Sequence, residues 1–440
     1  MKKLIITSLF ITLLSFSLSA QSPLLSKEEA ISLTLENNLG IKVAKNSLVI
    51  NENNASILNS GYLPTLTGNA GGSINRQDTE GQLASGDVRT AEGVETRGYN
   101  ASVTLGYTLF DGLGRYYDYK SSKEVSEQSE LQVRQTIENT ILQLFNVYYE
   151  VARLSENTKN LEEALKISKD RYKRAQYQFE YGQNTGLDVL NAEVDINTDS
   201  INLLNAKQQL RNTKRDLNLI LNRDLTTTYD ADTEVSFVSE LEMENIFNES
   251  KNNNVDLLIA EKDITIAKYN QKASKSGYLP TIGLTGSYGW NESNNNNPLA
   301  FLIQNTTTGL SGGVNLTWNI FDGGRTLVGA KNSKLNYQNQ ELVKKQIELE
   351  VERDIENAHD SCKNALFVLK VQDKNLETNT NNFKRTNERY KLGQVSSIEF
   401  RQAQLNLLNA ELVRSQAKYS AKLAELQMLQ VSGQLLNISF

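Results

Sequence analysis

The sequence predicts a mixed α+β membrane protein, mostly long α-helical coiled coils, with two transmembrane β-hairpins in each protomer. Three observations carry this prediction. The chain is written twice. Each copy holds a stretch of about 67 residues without proline that keeps a heptad seam. Each copy also holds two runs of about ten residues in which apolar and polar side chains alternate.

The repeat is read from three landmarks. Gly61-Tyr62-Leu63-Pro64-Thr65 returns as Gly277-Tyr278-Leu279-Pro280-Thr281, 216 residues on. Phe110-Asp111-Gly112 returns as Phe321-Asp322-Gly323, and Gly182-Gln183 as Gly393-Gln394, each 211 residues on. The order is the same in both copies, and one loop is five residues shorter in the second.

The elements follow in order. Residues 1–20 carry Lys2 and Lys3, an apolar run and small residues at Ser17, Ser19 and Ala20, the pattern of a secretory signal peptide. The first repeat is expected over 21–222. It begins with one helix over 27–61, stopped by Pro64, since a residue before proline favours extended geometry. A β-hairpin over 62–110, a long helix over 115–181 and a return helix over 187–222 complete it. A linker at 223–245 precedes the second repeat, 246–432. That repeat has a helix over 246–277, a hairpin over 278–321, a long helix over 325–392 and a return helix over 398–432. Residues 433–440 form a tail. Asp111 is expected to cap the first long helix, and Asp322 stands at the same junction of the second copy.

At 1.5 Å per residue a 67-residue helix is a rod of about 100 Å. Its seam in copy one runs Leu144, Val147, Val151, Leu154, Thr158; in copy two it runs Ile355, Ala358, Cys362, Ala365, Leu369. Steps of four and three residues call for left-handed coiled-coil packing. Polar entries lower in the second seam, Gln372 and Asn379, suit helices that can re-pack.

The strands have a different period. Tyr99, Ala101, Val103, Leu105, Tyr107 and Leu109 alternate with polar or small residues, as do Leu310, Gly312, Val314, Leu316, Trp318 and Ile320. Such runs fit barrel strands, apolar to lipid and polar to a lumen. Tyr107, Trp290 and Trp318 are placed for an interfacial belt. The loops expected at 77–97 and 291–309 are polar. Four strands cannot close a membrane barrel, and open edges are not viable in lipid, so the chain must oligomerise.

Composition removes other classes. Four prolines, one histidine (His359) and one cysteine (Cys362) leave no disulfide, no Cys-rich zinc site and no multi-histidine metal centre. Catalytic, cofactor-binding and metal-binding residues are therefore expected to be none. No Gly-rich phosphate loop or activated nucleophile is present, so the chain is not expected to be an enzyme. With 46 basic and 52 acidic side chains, the net charge of −6 argues against nucleic acid. Cys362 falls in the apolar seam and reads as a core residue. His359 reads as its flank, and Met243 and Met428 as no metal-binding cluster.

The repeat, the Leu-Pro-Thr entries at 63–65 and 279–281, the Phe-Asp-Gly-Gly-Arg exit at 321–325 and the run Tyr181-Gly182 to Ala192 resemble the TolC-like outer-membrane efflux proteins. The resemblance covers about 24–432. It implies a homotrimer in the outer membrane that extends into the periplasm. Three protomers would build a 12-stranded barrel in lipid and a helical tunnel, with a collar at 223–245 and after 432. It implies a periplasmic adaptor and an inner-membrane pump, driven by protons or ATP, as partners. The function it implies is the exit duct of a tripartite pump for small molecules. The alternative is the outer duct of a type I protein or peptide secretion system. A coiled-coil surface filament is a third reading, disfavoured by the barrel-like strands.

The resemblance also marks site residues. Asp188 and Glu399 hold the same repeat position and would form a ring of carboxylates at a periplasmic gate. Such a ring attracts cations, while the same acids also suit a helix first turn. A second acid three residues on is replaced by Asn191 and Gln402. The helical tips, Gly182, Gln183, Asn184, Thr185 and Gly186 in copy one and Gly393, Gln394, Val395, Ser396 and Ser397 in copy two, would dock the adaptor. Pro64, Pro280, Asp111 and Asp322 mark the helix–strand junctions.

Overall fold

The computed structural model describes residues 24–298 and 300–437, so the expected signal peptide lies outside the described residues. The chain divides into two compact units. Among the described residues, one unit holds those up to Asn46 with Gln132–Leu258 and those from Ile347; the other holds Ser47–Leu131 and Ile259–Gln346.

The first unit is helical. Strand β1 (Leu24–Leu25) pairs in parallel with β4 (Asp230–Ala231). The Tyr148 hydroxyl ties the two, donating to the Leu25 carbonyl at 2.7 Å and accepting from the Asp232 amide at 3.0 Å. Burial pushes that phenol up to about 12. Helices α1 (Lys27–Asn37) and α2 (Leu39–Asn54) follow β1. The long helix α3 (Gly114–Glu180) and return helix α4 (Gly186–Ile220) come from the first repeat. From the second come α5 (Glu240–Asn253), α6 (Val255–Ala273), the long α7 (Arg325–Lys391) and return helix α8 (Ser397–Val431). Helices α2, α3, α6 and α7 contribute residues to both units.

The core gathers where α3, α4 and α8 meet β1 and β4. Leu144, Phe145, Tyr149 and Val151 of α3 are sealed with Leu217, Tyr229 and Leu426. Phe145 and Tyr149 stack at 5.5 Å. Each such side chain contributes about 1.5–3 kcal/mol on burial. The buried face of α3 is wider than the expected seam, because Ile141, Tyr148 and Ala152 also face inward. Along the α8 side the linker is strapped down. Lys418 and Tyr419 both donate to the Thr233 carbonyl, Lys422 donates to that of Ser236, and Glu425 accepts from the Val238 amide.

The expectation of one helix over 27–61 is corrected. Asn38 ends α1 and starts α2, and a 3₁₀ turn at Ile57–Asn59 follows. The helix expected over 246–277 breaks likewise at Asn254 and closes with a 3₁₀ turn at Ser276–Tyr278. Asparagine interrupts both because its side chain competes for backbone hydrogen bonds. Helix α5 begins at Glu240, inside the stretch expected to be linker.

The second unit contains a four-stranded antiparallel sheet in the order β2-β3-β5-β6. Its strands are β2 (Thr65–Gln82), β3 (Val88–Phe110), β5 (Thr281–Asn295) and β6 (Gln304–Thr317). The strands run further than the sequence pattern suggested, so most of the polar stretch 77–97 is strand rather than loop. The two hairpins share a register. Thr65 stands opposite Gly106 in the first, and Thr281 opposite Thr317 in the second. Between hairpins, Val103 faces Tyr288 and Tyr107 faces Leu284, so the apolar face is continuous across the strands. The other face carries Asn100, Ser102 and Thr104 against Asn291, Gly289 and Ser287. No helix among the described residues is long and apolar enough to cross a membrane.

Candidate functional site

The two helical tips have one construction. Each long helix ends on a left-handed glycine, Gly182 (φ 70°) or Gly393 (φ 72°). The following amide reaches back five residues: Gln183 N to Gln178 O at 2.7 Å, Gln394 N to Arg389 O at 2.9 Å. This is the glycine-ended helix cap in which the reversed residue satisfies otherwise orphaned carbonyls. In the first tip the Asn184 side chain also donates to Gln178 Oε1. Gly186 and Ser397 then open the return helices. Leu392 and Ile398 flank the second tip as exposed apolar side chains, and Val395 is half-buried.

Asp188 and Glu399 do occupy matching places, as the third residue of α4 and α8. Both close a capping box with the residue before the helix. Asp188 Oδ2 accepts from the Thr185 hydroxyl at 2.9 Å and lies 3.4 Å from its amide. Glu399 Oε2 accepts from the Ser396 amide at 2.8 Å and hydroxyl at 2.9 Å, while Ser396 Oγ accepts from the Glu399 amide. The bond from the Ser396 amide, with that from its hydroxyl, holds the Glu399 carboxyl below the usual range.

A polar network beyond the tips was not legible in the repeat. Arg401 of α8 grips Asp199 of α4 with both guanidinium arms, at 2.9 and 2.8 Å. Asp199 also accepts from the Ser168 hydroxyl of α3 at 2.6 Å. Arg401 contacts Ser168 and Gln404, and Gln404 donates to the Ala164 carbonyl of α3. Beside it Arg171 of α3 pairs with Asp195 of α4, which lies 3.4 Å from Arg401 Nε. Asp199 is 2% exposed, Arg171 4% and Gln404 3%. Burial first, then the nearby Arg401, lowers the Arg171 pKa from its ordinary value. A bidentate, buried arginine–carboxylate pair is among the strongest fixed polar contacts available. It welds the first helical pair to the return helix of the second.

The junctions differ between copies. In the first, Asp111 Oδ2 accepts from the Arg115 amide and Nε at 3.0 and 2.9 Å. Arg115 also reaches the carbonyls of Gly61 and Thr108. Asp111 precedes the helix start by three residues, so it serves the first turn from outside the cap position. Asp322 does the same with the Thr326 amide and hydroxyl. A Cβ on Gly112 would stand 2.5 Å from the Ser276 carbonyl, so only glycine fits there. Pro64 and Pro280 directly precede β2 and β5.

Cys362 is fully buried, with Sγ 3.6 Å from Met243 Sδ, and Met428 belongs to the same apolar cluster. Burial pushes its thiol up to about 11. His359 stacks on Phe247 at 4.3 Å. Trp318 Nε1 donates to the Tyr278 carbonyl. Among the described residues no group of three or more His, Cys, Asp or Glu side chains is placed to hold a metal.

The profile of the family described as outer membrane efflux protein matches residues 30–223 and 246–434. The chain belongs to that family. Among curated outer membrane efflux proteins, it is 23% identical over 416 residues to BepC of Brucella suis, spanning 92% of this chain and 85% of that one. It is 21% identical over 385 residues to TolC of Vibrio cholerae, spanning 86% and 83%. Its fold is similar to the CmeC outer membrane channel of Campylobacter jejuni, with a TM-score of 0.76, 20% identity and coverage of 93% and 86%. The MtrE outer membrane channel of Neisseria gonorrhoeae gives a TM-score of 0.71 over 93% and 89%. The outer membrane efflux family is one of ducts, and this member has their TolC-like fold.

Proposed function

We propose that this outer membrane efflux protein is the exit duct of a tripartite pump for small molecules, working as a homotrimer. The observation that carries the reading is the four-stranded sheet, apolar on one face and polar on the other, whose edge strands β2 and β6 have no partner within the described chain. Three such sheets give twelve strands, enough to close a barrel and remove the edges. The duct itself makes and breaks no bonds, and the energy for export comes from an inner-membrane transporter.

The two tips are the docking points for a periplasmic adaptor. Their exposed side chains sit on backbone that is already fixed by the glycine caps, so docking orders little new chain. The carboxylates of Asp188 and Glu399 line the entrance. The Arg401–Asp199–Ser168 network is the latch of the resting state, because releasing α8 from α3 and α4 requires undoing it. The purified protein in planar bilayers tests the reading. It is expected to give ohmic channels and to run as a heat-sensitive trimer from outer membranes. Failure to insert, with a monomer in the soluble periplasm, would overturn it.

A further inference from the structure

One cavity of the helical unit has no part in the duct reading. It lies between α3, α7 and α8 and has a volume of about 310 Å³. Sites for small molecules begin at about 300 Å³. Three of the side chains that line it are aromatic. Tyr390 and Phe400 stack with centroids 4.5 Å apart, and Phe383 meets Phe400 at 5.6 Å. The Arg174 guanidinium stands over the Tyr390 ring, 5.4 Å from its centroid, and its Nη2 donates to the Lys391 carbonyl. Arg171 lines the same cavity. One of its arms is held by Asp195, yet its Nε has no hydrogen-bond acceptor among the described residues, although the residue is only 4% exposed.

Charge decides what the cavity would take. Of its charged residues, Arg171 is matched by Asp195, and Glu163 by Lys166. Arg174, Lys391 and Asp170 also line it, and none of them joins an ion pair among the described residues. Two cations against one carboxylate leave one positive charge uncompensated. The repeat does not supply a second such place. By the 211-residue offset Phe400 corresponds to Val189 and Arg171 to Asn382, so the other copy lacks both the central ring and the buried arginine.

We propose that this cavity binds a small planar aromatic anion, its ring against Phe383, Tyr390 and Phe400 and its carboxylate toward Arg171 and Arg174. A planar ring can join the existing stack in the offset or edge-on geometry that aromatic side chains favour. A carboxylate is the acceptor that a guanidinium fork fits best. It gives Arg171 the acceptor that its Nε lacks, and a buried donor without one is unfavourable. The same carboxylate offsets the uncompensated charge. A neutral aromatic would gain the stacking alone, and an aliphatic anion the charge alone. The site lies within one chain and does not depend on the trimer or on docking. Asp195, the partner of Arg171, is also 3.4 Å from Arg401 Nε. An anion at Arg171 therefore sits beside the network that joins α8 to α3 and α4.

The probe is naphthoate, with uncharged naphthamide as its control of matching shape, in equilibrium dialysis against the full-length protein in lipid nanodiscs. Empty nanodiscs give the lipid background. Naphthoate should bind saturably, one molecule per chain, and about tenfold more tightly than naphthamide, the scale of one hydrogen bond to a charged group. Arg174→Gln should abolish that preference, and Phe400→Leu should weaken both compounds. Asp170→Asn, at an exposed position, should tighten naphthoate by removing the opposing charge. Amide exchange over 383–391 should slow when naphthoate is present. Binding no greater than to empty nanodiscs, equal binding of the two compounds, or protection confined to other segments would overturn the site. A preference that persists in folded Arg174→Gln and ignores Asp170→Asn would overturn the assignment of the carboxylate. Should Arg174→Gln fail to fold, Asp170→Asn and the naphthamide comparison still decide.

Discussion

Asn38 and Asn254 stand 216 residues apart and make the same three hydrogen bonds. Asn38 Oδ1 accepts from the amides of Gly40 and Ile41, and its Nδ2 donates to the Ile220 carbonyl. Asn254 Oδ1 accepts from Asp256 and Leu257, and its Nδ2 donates to Val431. Each asparagine starts a helix and pins it to the last turn of its own repeat's return helix. Replacing either with alanine should cost about 1–3 kcal/mol, the loss of a cap plus an unsatisfied carbonyl. Urea denaturation in detergent measures this. Serine, which keeps the cap but not the bridging donor, should recover part of the loss at both sites. A null effect at either would deny the staple.

If the Arg401–Asp199–Ser168 network is the latch proposed above, Arg401→Ala should loosen the closed state. Removing one partner of a buried pair costs about 3–5 kcal/mol, so the balance between closed and open duct should shift more than tenfold. The readouts are single-channel open time and entry of a large antibiotic that the intact outer membrane excludes. Arg401→Lys, unable to grip both Asp199 oxygens, should fall between. Unchanged gating with normal assembly would make the network a packing element only.

The tip acids cap their helices, and the proposed entrance ring gives them a second role that conservative variants separate from capping. Asp188→Asn with Glu399→Gln should reduce cation preference in low-salt bilayers while leaving assembly intact, since glutamine still serves a capping box. Alanine at both should also loosen the tips. The pH dependence has a fixed sign. The folded Glu399 carboxyl is held below its ordinary value, so its stabilisation is complete above the ordinary glutamate range. It is lost as pH falls through the lower folded value. Tip order by hydrogen exchange should hold at pH 6 and decline only in stronger acid. Decline beginning near neutrality would contradict this.

Cys362 should resist thiol reagents. With its thiol raised to about 11, about one molecule in a thousand carries the thiolate at pH 8, and the sulfur is fully buried. A disulfide reagent should label it within minutes in denaturant and only negligibly in the folded protein. Rapid labelling of the folded form would mean the cluster with Met243 and Met428 opens readily.

The large elements were legible because each has a strong period. The heptads of α3 and α7, the dyads of β3 and β6 and the glycine tips are local signals that tertiary packing does not override. The asparagine breaks were harder to see, since Asn38 and Asn254 sit in proline-free stretches and act through side-chain bonds to distant carbonyls. The Arg401 network lay outside the repeat logic altogether. Its members have unlike counterparts, Leu190 for Arg401 and Ala410 for Asp199, and they lie far apart in sequence. The meeting of Met243 and Met428 at Cys362 was invisible for the same reason.

The proposed duct docks at its tips to a periplasmic adaptor of an inner-membrane pump. In-cell photo-cross-linking from Gln394, exposed and just past the left-handed Gly393, tests it most directly. The account predicts capture of a periplasmic adaptor partnered with a proton-driven exporter of small molecules. An adaptor partnered with an ATP-driven protein exporter would redirect the cargo to polypeptides, and capture of no adaptor would contradict the docked duct.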